Sequence, residues 1–118
     1  MRKLMILVFV VAQSLTGLAQ AKSPECAGVD NWATAMAFVH LKNAGLTTND
    51  ELDLKLTRAV RLASEQIGPD LYRQIHHIAF ARKAGGSIEV ITSNNASSTE
   101  CSMSGVQVFV VSKRLGDT

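Results

Sequence analysis

Cysteine is scarce in this 118-residue sequence: only Cys26 and Cys101 are present, with no CxxC pair and no histidine near either in sequence. That spacing excludes a paired-cysteine zinc site and a thioredoxin-type redox pair. The chain also lacks a GxSxG, an HExxH, a P-loop and a strand-borne GxGxxG, so it carries none of the motifs with a settled chemistry. Long hydrophobic runs are missing as well. The longest stretch, residues 4–12, stops at Gln13, short of the about 20 apolar residues that a spanning helix needs. No run of basic residues occurs, and the formal charge of the whole chain is only +2.

The short apolar stretch has its own explanation. Arg2 and Lys3 form a positive start, residues 4–12 an apolar core, and Ala19-Gln20-Ala21 a small-residue cleavage site. This is the pattern of a secretory signal peptide, with cleavage expected after Ala21. The expected organisation is a signal peptide over residues 1–21 and a single small domain over residues 22–118, released into the periplasm or secreted, with no membrane span in the mature form. Arg2 and Lys3 leave with the signal, so the mature chain is formally neutral. It lacks the electrostatic footprint of nucleic-acid binding.

Both cysteines remain in the mature chain. An even count in an exported protein reads as a disulfide. A Cys26–Cys101 bridge would close most of the mature chain into one loop, worth about 4 kcal/mol by chain entropy. Against a total stability of roughly 5–15 kcal/mol for such a domain, that is a large share.

Along the mature chain, Asp30 is the expected N-cap of a helix that stops at Asn43-Ala44-Gly45. Trp32, Met36 and Val39 form one stripe at helical spacing, while Phe38 and Leu41 point away from it. A helix apolar nearly all round is either covered on more than one side or turns Phe38 or Leu41 toward a partner. Residues 51–66 satisfy two patterns. Leu52, Leu56, Ala59, Val60, Ala63 and Ile67 share a helical face, and Thr48 with Glu51 makes a capping box. An alternation broken at Arg58 fits a strand, with Gly68-Pro69-Asp70 as a hairpin turn. The capping signals favour a second helix. Residues 71–82 read as a strand, Lys83-Ala84-Gly85-Gly86 as a hairpin turn, and residues 87–93 as the next strand. Residues 106–112 read as another strand, apolar on both faces across Val108 to Val111, the mark of a strand in the middle of a sheet. Between these strands, residues 94–105 form a polar, Ser-rich loop pinned by Cys101. The expected fold is α+β: one or two N-terminal helices on a three- to four-stranded antiparallel sheet, with one disulfide.

Few residues invite a chemical reading. His76 and His77 are adjacent, and on a strand adjacent side chains point to opposite faces, so they cannot share a ligand site. One of them with Glu89 and Arg73, from neighbouring strands, would suit a small metal-independent hydrolase or toxin. The loop serines show no base to activate them. No metal site and no cofactor is indicated. Elimination leaves a binding module for another envelope or extracellular protein, such as an inhibitor, an immunity protein or an envelope accessory protein. Its expected contact residues are Asn94, Asn95, Ser97, Ser98 and Met103 in the polar loop, where Met103 is the apolar residue placed for contact. A self-assembling structural protein is the remaining alternative, tied to Phe38 and Leu41 lying together on the surface.

Overall fold

The computed structural model describes residues 24–112 and 115–116; the expected signal peptide and its cleavage site lie outside the described residues. One helix, α1 (Trp32–Asn43), is followed by four strands, β1 (Leu52–Gly68), β2 (Leu71–Arg82), β3 (Ser87–Ala96) and β4 (Gln107–Val110). The strands form one antiparallel sheet in the order β1-β2-β3-β4. The α+β expectation holds in this form, with one helix among the described residues rather than two.

The cap of α1 is Asn31, one residue after the expected Asp30; its side chain accepts from the Thr34 amide at 2.7 Å. Ala33, Ala37 and Leu41 form the buried face, and the small side chains of Ala33 and Ala37 let the helix settle closely on the sheet. The expected Trp32–Met36–Val39 stripe is therefore not the core face. Trp32 and Met36 are only partly buried beside it, and Leu41 faces inward. Phe38 is half-buried against Phe80, their ring centroids 6.3 Å apart, and the Lys42 ammonium sits 4.3 Å above its ring.

Residues 51–66 are not a second helix but most of β1. The reason lies in the register with β2, which shifts between Asp53 and Arg58 and again between Arg61 and Ala63. Each shift inserts unpaired residues and resets the alternation of side chains. Leu54, Leu56 and Leu62 fall at these irregularities, so the strand alternation is interrupted, and Leu52, Leu56, Ala59, Val60, Ala63 and Ile67 are left at helical spacing. The Thr48–Glu51 box forms a turn instead of a cap: the Glu51 amide bonds to Thr48 O at 3.5 Å and its carboxylate accepts from Thr47 Oγ1 at 3.2 Å. Pro69 and Asp70 connect β1 to β2, and the β2–β3 turn places Gly85 and Gly86 at positive φ, as expected.

β2 alternates cleanly. Tyr72, Gln74, His76, Ile78 and Phe80 are buried on the helix side, and so are Ile88, Val90, Thr92, Asn94 and Ala96 of β3. The core gathers Ile78, Phe80, Ile88, Val90 and Val106 with the helix and Leu52. β4 is not the central strand expected from its composition. It bonds to β3 alone and forms an edge of the sheet. Its apolar residues divide between the two faces. Val108 and Val110 pair with Thr92 and Val90 on the helix side, and Phe109 pairs with Ile91 on the other.

Candidate functional site

The helix side of the sheet has two halves. Beneath α1 it is apolar. Beyond α1, Arg61, Ser64, Gln74, His76, Thr92 and Asn94 make it polar, and the chain covers this half with the segment around Cys26. That segment is tied to the loop after β3 by the Cys26–Cys101 disulfide, with S–S 2.03 Å and Cα–Cα 5.6 Å, so the expected bridge is present. The His76 ring lies 2.7 Å from Cys26 O through Nε2, the Arg61 guanidinium donates to Pro24 O, and Gln74 donates to Ser64 Oγ. Burial pushes the pKa of His76 down. The bond to Cys26 O opposes that shift, and the nearby Arg61 charge adds to it. His76 Nδ1 and Thr92 Oγ1, cross-strand neighbours, have no protein partner.

The two adjacent histidines do face opposite ways. His76 is buried, whereas His77 lies on the open face and meets Glu89 at 3.3 Å. Arg73 also lies on that face, but it pairs with Glu65 at 3.7 Å. It is four residues along β2 from His77, about 13 Å at strand rise. The structure thus brings His77 and Glu89 together and leaves Arg73 apart. The cleft between the end of α1 and β4, about 480 Å³, is lined by His40, Leu41, Leu46 and Val106 to Val110. A second, of about 390 Å³, lies between the start of α1 and Leu54. A third, of about 330 Å³, is lined by Arg73, Asn95, Ser104 and Gln107. Neither His77 nor Glu89 lines any of the three. Among the described residues no group of three or more His, Cys, Asp or Glu side chains is placed to hold a metal ion. No helix among them is long and apolar enough to cross a membrane.

The loop residues chosen from sequence are mostly engaged within the fold. Asn94 and Asn95 belong to β3 rather than to a loop, which begins at Ser97. Asn94 is buried and donates to Cys101 O at 3.1 Å. Buried Ser97 accepts from the amides of Thr99 and Glu100, and Ser98 bonds twice to the Asp70 carboxylate at 3.0 Å. Met103 is 46% exposed, with its amide bound to Asn95 O.

Sequence reasoning missed the sheet face opposite α1. On it the register aligns Val60, His77, Ile91 and Phe109 in one row across all four strands. Beside it runs the row Ala63, Ile75, Ser93 and Gln107. Val60 is 53% and Phe109 57% exposed, and Leu62, at the irregularity in β1, is 58% exposed. No described element packs on this face, and none pairs with the outer edge of β1 or β4. The alternation of β2 and β3 could have pointed to Ile75 and Ile91, but the row itself depends on the register. Comparisons with protein-family models, curated proteins and solved structures returned no match to this chain.

Proposed function

We propose that the protein acts outside the cytoplasm as a small protein-binding module, of the inhibitor, immunity or envelope-accessory kind, and that its contact surface is the uncovered sheet face. The observation that carries this reading is the row Val60–His77–Ile91–Phe109, three of its four residues apolar and Ile75 beside it, on a face that no described element covers. Val60 and Phe109 are exposed and Ile75 and Ile91 half-buried, and apolar side chains gathered on an uncovered face mark an interaction site. A disulfide closing residues 26 to 101 is compatible with folding in an oxidising compartment. The loop after β3 is the lesser contact candidate because its polar groups bond to one another and to Asp70, leaving Met103 as its exposed apolar side chain.

The test is affinity capture with the tagged wild-type protein and with Ile91→Lys and Met103→Lys variants, read by mass spectrometry. The reading expects a stoichiometric partner that Ile91→Lys loses and Met103→Lys keeps. Loss with Met103→Lys alone would move the contact surface to the loop. Capture identical for all three would remove both.

A further inference from the structure

We infer that the uncovered face of the sheet pairs with the same face of a second copy of this chain, sheet on sheet, about a two-fold axis running across the strands. The inference rests on the reading of that face as a contact surface and gives it a second copy of this chain as its occupant in place of a foreign protein.

At one end of the face Arg58 of β1 lies in the row that contains Ala79 and Glu89. At the other end Glu65 of β1 lies in the row with Arg73 and Asn95. Between these ends are the two less charged rows, Val60–His77–Ile91–Phe109 and Ala63–Ile75–Ser93–Gln107. A two-fold axis midway between the two central rows turns the ends onto each other. Arg58 then faces Glu65 of the second copy, and Arg73 comes beside the second copy's Glu89. Val60 meets the second copy's Ala63, and the apolar side chains of the central rows are covered. A patch with cations and anions at exchanged ends is complementary to itself, as an isologous interface requires.

Strands about 4.8 Å apart and side-chain rows about 6.6 Å apart give the face a projected area of roughly 500 Å² per copy. The pair therefore buries about 1,000 Å² in total, at the threshold of a specific interface. The association is accordingly weak and concentration-dependent, with sheets stacked about 10 Å apart.

The experiment is sedimentation equilibrium on the oxidised protein as recovered from the cell, over a wide concentration range, with two charge-reversal variants, Arg58→Glu and Glu65→Arg. Both positions are exposed on an edge strand, and the Glu65–Arg73 pair that Glu65→Arg gives up is itself solvent-exposed and contributes little, so the fold tolerates both reversals. Each variant alone places like charges opposite each other at both symmetry-related contacts. Each should weaken self-association at least about tenfold. An equimolar mixture of the two should recover wild-type association, because both contacts of the mixed pair join opposite charges. Within one chain residues 58 and 65, paired with Ala79 and Arg73 of β2, are about 20 Å apart at strand rise, so recovery on mixing reports contact between copies. A wild-type protein monomeric throughout overturns the inference, and so does a dimer indifferent to both reversals or not restored by mixing. In the monomeric case, an Ile91→Lys variant that loses a captured protein leaves the contact-surface reading standing. Unchanged capture ends both.

Discussion

His76 Nε2 lies 2.7 Å from the carbonyl oxygen of Cys26, a residue 50 positions earlier in the chain. The contact places the ring proton on Nε2 and leaves Nδ1 as a bare acceptor. The same carbonyl accepts from Asn31 Nδ2 at 3.4 Å, and the neighbouring Pro24 O accepts from Arg61. With the disulfide to Cys101, a few residues ahead of α1 are held from β1, β2, the helix cap and the loop after β3. The polar half of the sheet is buried because this segment closes over it.

That closure makes stability depend on pH. In the unfolded chain a histidine takes up a proton near pH 6.5. In the fold, burial lowers the pKa of His76, so below about pH 6.5 the unfolded state binds more protons than the folded one. The stabilisation is present above the unfolded pKa and is lost as pH falls below it. The melting temperature should drop between pH 7 and pH 5, and His76→Gln should remove part of that slope. An identical slope in the variant would assign the dependence to other groups.

Reduction acts on the same closure. The Cys26–Cys101 bridge spans 75 residues, and its loss should cost on the order of 4 kcal/mol in urea unfolding. It should also admit water to His76, so the reduced protein should show a shallower pH dependence than the oxidised one. Equal stability of the two forms would mean that the bridge constrains the unfolded state far less than its loop length implies.

The sequence reveals those features that are local and uninterrupted. β2 alternates without a break from Tyr72 to Phe80, and Gly85 and Gly86 announce the turn after it. The disulfide follows from an even cysteine count. β1 was obscured because two register shifts break its alternation, while Leu52, Leu56, Ala59, Val60, Ala63 and Ile67 recur at spacings a helix would also use. The edge position of β4 was hidden for a different reason. Residues apolar on both faces imply a covered strand only if both faces of the sheet are covered, and here Phe109 belongs to the open one. The candidate surface was the least legible part. Its row draws one residue from each strand, and only hydrogen-bond register places Val60, His77, Ile91 and Phe109 side by side.

The first irregularity of β1 is clasped by one hydroxyl. Buried Thr57 donates through Oγ1 to Asp53 O at 2.8 Å and accepts from the Ala81 amide at 3.2 Å. Thr57→Val keeps the shape and strands both backbone groups, at a cost of about 1–3 kcal/mol. Thr57→Ser keeps both bonds and should lose far less. Urea unfolding of the two variants separates the hydroxyl from the methyl. A Ser variant as unstable as the Val variant would show that packing of the methyl, rather than the clasp, holds the irregularity.

Trp32 connects the helix to the far side of the molecule. It is the sole tryptophan, half-buried at the start of α1, and its Nε1 donates to Ser104 O at 3.2 Å. Ser104 in turn accepts through Oγ from the Asn95 amide at 2.8 Å, so this one indole links α1, the loop and the end of β3. Trp32→Phe retains most of the ring's apolar contact but removes the donor, which should cost about 0.5–1.5 kcal/mol. The loss should be local, because the disulfide still anchors the loop at Cys101. Amide exchange should therefore accelerate at residues 102–106 and at Asn95, with little change in β2. Uniform acceleration across the sheet would instead make Trp32 a part of the global core, and unchanged exchange would show that the loop holds its place by the disulfide and the Asp70–Ser98 bonds alone.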